Sequence, residues 1–249
     1  MTESEIKDIF HAQTDNVREL EKVWKQIAKE INVALRDDDS IQTILKTKML
    51  GLVFCALAES QFSKLIHTPG QFTSEQIHQI KAAASSNVSD GWEKCIDLAV
   101  RRLSSGPKHN HVPNVILSLK RLIASYIKEP SLIRNKIAHG QWVVALNRKN
   151  THINPEMTTT LANLNVLDLA RFKDAFSRLS RIVEDIIISP NKAHLRDYHP
   201  QVQEFDRVQK EMSKWTIDEK VKQLKMKLSY SHKMKCETCG QLHIDRKKV

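Results

Sequence analysis

The run Arg134-Asn135-Lys136-Ile137-Ala138-His139-Gly140 places a guanidinium five positions before an imidazole. An imidazole, titrating near pH 6.5 in water, can take the proton of a ribose 2′-hydroxyl or return one to a departing 5′ oxygen. A guanidinium keeps its charge and matches phosphate oxygens, so it can stabilise the charge that builds at phosphorus. The pair suits cleavage of RNA by a route that needs no metal, and the body shows no compact carboxylate cluster of the two-metal kind. Asn135 and His139 lie four apart and share a helix face, so the amide can orient the ring or touch the same substrate. Arg134 stands about 140° round an ideal helix from His139. The two meet only if the last turn opens before Gly140, or if two chains pair about a twofold axis and set two Arg–His pairs round one groove.

A second constellation lies near the end, His232-x3-Cys236-x2-Cys239-x3-His243. Two thiolates and two imidazoles make a complete tetrahedral zinc set, and Gly240 after the Cys-x-x-Cys turn fits a zinc knuckle. The spacing is tighter than that of a usual finger, so a structural zinc and a flexible tail that merely contains these residues both stand. Cys55 and Cys95 sit singly in helical patterns and read as core thiols, consistent with a reduced, cytoplasmic protein. His109 and His111, in a basic loop, either contact phosphate or are ordinary loop residues. Trp92, Trp142 and Trp215 could stack on bases, although Trp142 beside Val143 and Val144 reads better as packing.

Charge placement fits either a polyanionic partner or a solvated basic face without one. The formal charge is +10, and residues 101–150 carry ten Lys and Arg against one acid, Glu129. Such a block concentrates positive potential. Lys108, Lys120, Arg121, Lys128, Lys136 and Arg148 are the residues expected to hold an RNA backbone, with binding that weakens steeply as salt rises. The longest apolar run, Met49 to Ala58, is well short of the roughly 20 residues of a spanning helix. The first residues lack the basic start and apolar stretch of a signal peptide. No membrane association is expected.

Helices must position these groups. Apolar spacing is helical nearly throughout, and six glycines and seven prolines in 249 residues are too few for a sandwich or barrel. Val17, Leu20, Trp24, Ile27, Ile31 and Leu35 mark one stripe of a long first helix, which Asp37-Asp38-Asp39 ends. A second helix is predicted from about Ile41 to Ile66, then short helices over Ser74 to Ala84 and Ser89 to Leu103. Another runs from Val112 to Tyr126. Pro130 interrupts, and a short helix from Ser131 to His139 is stopped by Gly140. Residues 141–147 look strand-like, with Met157 to Leu161 as a hairpin partner. A last body helix from Asn165 closes at Pro190. Residues 191–249 are polar, basic and weakly periodic.

The motif resembles the R-N-x-x-x-H signature of the HEPN superfamily, in which an Arg, commonly followed by Asn, precedes a His by four to six intervening residues. Gly140, the short extended segment and the long closing helix are similar to several bacterial HEPN groups. The resemblance spans roughly residues 5–189, and its discriminating content is the seven-residue run and the helix order. It implies a four- to five-helix core; together with the chain's own pattern this gives an all-α fold, a HEPN-like helical bundle over residues 1–190 with a small β-hairpin insertion, followed by a basic helical extension over 191–249 with its Cys/His tail. It implies a homodimer with both motifs at the interface and metal-independent cleavage of RNA, often in a toxin–antitoxin or antiviral-defence setting with a neutralising antitoxin or defence-system partner. Arg134 and His139 are carried over as catalytic, with Asn135 in support. Some members add an acidic or polar residue from an earlier helix, for which Glu59 is the candidate here. Its other reading is a carboxylate on the exposed edge of that helix. The superfamily also contains members that bind nucleic acid or partners without cutting, which is the alternative function.

Overall fold

The structure, a computed structural model, describes residues 1–103 and 111–233. Ten α-helices follow one another among these residues: α1 (Glu3–Arg36), α2 (Ser40–Ile66), α3 (Ser74–Ser86), α4 (Val88–Ala99), α5 (His111–Tyr126), α6 (Lys128–Ala138), α7 (Pro155–Asn163), α8 (Val166–Ile188), α9 (Ala193–Met212) and α10 (Ile217–Lys233). The all-α expectation holds.

Side chains write most of the helix starts. Thr2 and Glu5 form a reciprocal capping box on α1, as do Thr73 and Gln76 on α3 and Asn165 and Asp168 on α8. Each box gives orphaned first-turn N–H groups an acceptor that the helix itself cannot supply. Asp39 accepts from Gln42 N at 3.0 Å and so begins α2, as the acidic run predicts.

Helix α2 has the length and hydropathy of a membrane span, yet it is the central helix of the bundle. Leu50, Phe54, Leu57, Ala58, Leu65 and Ile66 are buried on its inner side, where α1, α6 and α8 pack. Around Phe54 an aromatic cluster links three helices. Phe176 of α8 meets Phe54 edge-on at 5.5 Å, and Trp92 of α4 lies 4.6 Å from Phe62 and 6.3 Å from Phe176. Trp92 is wholly buried, so it cannot stack on bases. The tight approach of α3 to α4 is possible because residue 91 is glycine: a Cβ there would lie 2.6 Å from Ala84 Cβ. Cys55 and Cys95 are buried free thiols, as expected.

The β-hairpin is not formed. Among the described residues there is no strand, only an isolated bridge between Leu146 and Ile153. Met157 to Leu161 lie instead within α7. Asn154 accepts from Met157 N at 3.0 Å, and Pro155 occupies the start of α7, where its missing N–H costs nothing. The turn before it is tied by Asn147, which accepts from Thr151 N and donates to Thr151 Oγ1. Alternation in 141–147 therefore marks a loop lying on the bundle.

The extension is continuous with the body in the part described. Tyr198 and Phe205 of α9 are buried in the common core, with Phe205 stacked on Tyr126 of α5 at 5.5 Å. Ile217, Val221 and Leu224 of α10 pack against that core, and Lys225 pairs with Asp38 at 2.7 Å.

Two buried imidazoles set a pH dependence. His67 and His194 are 0% and 1% exposed, and burial pushes both below the ordinary histidine value, His194 to about 4. Such a ring binds a proton more readily in the unfolded chain. Stability is therefore complete above pH 6.5 and falls as the pH drops towards 4, by up to about 3 kcal/mol from His194. Urea midpoints measured in EDTA at pH 7 and pH 5 check this, with the lower midpoint expected at pH 5.

Candidate active site around Arg134

Helix α6 carries the motif, and its inner side fixes where each motif residue points. Ile133 and Ile137 are buried. Ile137 lies over Gly51 of α2, where a Cβ would come within 3.1 Å of its Cδ1, so the two helices approach closely. Cys55 Sγ donates to the carbonyl of Arg134 at 3.3 Å. Burial pushes that thiol up to about 12, so it remains protonated and able to donate. Pro130 falls inside the first turn of α6 rather than before it, because its fixed φ suits that turn. The helix thus begins at Lys128, three residues before the predicted start.

Its end is a Schellman motif. Gln141 N donates to Lys136 O at 2.9 Å and Gly140 N to Ile137 O at 3.1 Å, with Gly140 at φ +74°. The geometry needs a left-handed residue at that position. Gly140→Ala is expected to cost about 1–2 kcal/mol, read as a lowered urea midpoint. Trp142 Nε1 adds a bond to Ile137 O at 3.1 Å, so this indole packs, and Lys136 Nζ donates to Leu146 O.

With the last turn closed, Arg134 and His139 part within one chain. Arg134 turns towards α2: its Nη2 donates to Glu59 Oε2 at 2.6 Å and its Nη1 to Asn135 Oδ1 at 3.0 Å. Its side chain is 12% exposed against 73% for Glu59, and its Nε is buried without a partner. Glu59 is therefore both an exposed edge carboxylate and the anchor of the guanidinium. Asn135 supports Arg134, not His139. His139, at the cap of α6, is exposed.

Arg134 and Glu59 stand in the wall of a cleft of about 400 Å³ shared with Gln13 of α1, Ser63 of α2, Lys81 of α3 and Phe176 of α8. His139 is not part of that lining. Lys81 and Gln13 carry no sequence signal, because nothing local shows that α1 and α3 border the motif helix.

The residues expected to hold RNA divide. Lys120 pairs with Asp97 at 3.1 Å, and Arg121 grips Asp206 with two nitrogens, one at 3.2 Å. Together with Lys136 they serve the fold. Lys128 and Arg148 are exposed and make no ion pair among the described residues. Lys108 and His109, and the side chains of His232, Cys236, Cys239 and His243, lie outside the described residues. Trp215 is 47% exposed.

An apolar stripe runs along the outer side of α2. Ile41, Leu45, Met49 and Leu52 are 76%, 47%, 44% and 37% exposed. Their spacing of four, four and three keeps them on one face, and the same face continues through Ala56 to Glu59. No protein-family model, curated protein or solved structure matches the chain.

Proposed function

We propose that this protein is a metal-independent endoribonuclease of the HEPN kind, acting in the cytoplasm as a homodimer, in a toxin or antiviral-defence setting with a neutralising or defence-system partner. The observation that carries the reading is an exposed imidazole, His139, at the C-cap of the eleven-residue helix that bears a guanidinium, which Glu59 and Asn135 hold at a cleft wall. His139 exchanges the proton. Arg134 holds the phosphate, with its remaining donors facing the charge that builds in the transition state. Because the two diverge within one chain, the complete site takes Arg134 from one subunit and His139 from the other. The apolar stripe on α2, which runs into Glu59, supplies the face that a second copy covers.

Attack by the 2′-oxygen on phosphorus expels the 5′-oxygen and leaves a 2′,3′-cyclic phosphate beside a 5′-hydroxyl. Single-stranded RNA incubated with the purified protein in EDTA should yield those ends, and the corresponding DNA should stay intact. RNA that remains whole while still binding the protein overturns the enzymatic reading.

One observation favours the second reading, a non-catalytic nucleic-acid- or partner-binding protein. Arg134 is mostly buried and already paired, as a purely structural arginine is. The same assay separates the two.

A further inference from the structure

Apart from the motif, two imidazoles join the start of α5 to the start of α9. His111 and His194 face each other through their Nε2 atoms at 3.3 Å, with ring planes inclined at 56°. That separation allows a long N–H···N hydrogen bond between two neutral rings. It matches the distance of about 3.3–3.4 Å between two nitrogens that share a tetrahedral zinc at 2.0–2.1 Å each.

The surroundings point the same way. His194 is 1% exposed, and Tyr198 holds its ring at 4.9 Å while donating its own hydroxyl to Val115 O at 3.5 Å. His194 Nδ1 is buried without a partner, and so is Gln201 Oε1. These residues are seven apart on α9, hence on one face. The Gln201 amide is held by donation to Asp185 Oδ2 at 2.7 Å. A cation on Nε2 requires the proton on Nδ1; Gln201, two turns further along α9, makes no bond to it.

We propose that His111 and His194 bind a divalent cation of the zinc, nickel or copper class through their Nε2 atoms. Imidazole suits these ions. Among the described residues no group of three or more His, Cys, Asp or Glu side chains gathers, so the site has two protein ligands and leaves its other positions to solvent or an incoming ligand. The ion ties α5, the helix that leads into the motif, to the first helix of the extension.

The Cys/His tail can take the same ions, so the test uses the full chain carrying Cys236→Ser and Cys239→Ser. Titrated with Co2+, it should bind one equivalent with d–d absorption and no thiolate charge-transfer band, and its Tm should rise. Adding His111→Gln should abolish both effects while leaving the far-ultraviolet circular dichroism in EDTA unchanged. Binding and a Tm rise that survive His111→Gln, or no binding before that change, overturn the proposal; the latter result leaves a plain hydrogen bond between the rings. Independently of how that variant folds, crystals of the parent soaked in Ni2+ should show an anomalous peak between the two Nε2 atoms. A soaked crystal without it also overturns the site.

Discussion

His139→Ala is expected to slow RNA cleavage by about 10²–10⁴-fold, and Arg134→Ala by about 10²–10³-fold. His139 is exposed at the cap of α6, so truncating it removes a proton carrier and little packing. Arg134 needs a separate control because it is only 12% exposed. Its removal leaves Glu59, whose carboxylate is 73% exposed and simply hydrates. An ion pair with one partner in water contributes no more than about 1 kcal/mol, and the buried stem adds a packing loss, so the urea midpoint should fall without the protein unfolding. Arg134→Lys should restore little activity, since an ammonium cannot span Glu59 and Asn135 while still meeting a phosphate with a planar fork. Cleavage rates in EDTA, measured beside urea midpoints, check all three variants. Parent-like rates in His139→Ala would remove that residue from the chemistry. A collapsed midpoint in Arg134→Ala, with cleavage unaltered per folded molecule, would make the arginine structural.

Mixing the two inactive variants should restore activity. In a homodimer whose sites each take Arg134 from one subunit and His139 from the other, a heterodimer of Arg134→Ala and His139→Ala chains has one site with both groups. Random pairing makes half the dimers mixed, so about a quarter of the parent rate returns. Sites built within single chains would regain nothing, because each chain lacks one group. The companion experiment charges the α2 stripe with Met49→Glu and Leu52→Glu. Both side chains are substantially exposed, so the monomer should fold. Two carboxylates on each face then oppose two on the other, and burying them unpaired is costly. Sedimentation should show monomers, with cleavage reduced to the level of His139→Ala. A parent that sediments as a monomer and still cleaves RNA would sink the shared-site reading.

Both experiments turn on the same geometric fact. A Schellman end closes α6, so the five-residue spacing from Arg134 to His139 keeps its helical divergence, and Arg134 turns to Glu59 and a cleft that His139 does not line. The cap that defines the motif helix is thus the reason the proposed site draws on a second chain.

What the sequence determined alone was whatever a single turn of chain decides. Asp39, Thr73 and Asn165 begin helices because each offers an oxygen to an N–H two or three residues on. Gly140 ends α6 because the left-handed conformation there favours a residue without a Cβ. The buried faces of α2 and α8 follow from helical periodicity. The motif's spacing likewise stated that Arg134 and His139 diverge. Local reasoning failed first at 141–161, where alternation resembling strands was outweighed by Asn154 and Pro155, a stronger local signal for a helix.

Tertiary structure decided which charges are free. Glu59 lies 75 residues from Arg134, and Asp206 lies 85 from Arg121. No pattern within either segment foretells those pairs. They exist because close packing of α6 on α2 and of α9 on α5 brings the side chains together once the apolar faces are buried. Packing of α5 on α4 took Lys120 into the fold, and the loop after α6 took Lys136. Helix boundaries depend on bonds within a few residues, whereas the environment of a charge depends on every element that reaches it.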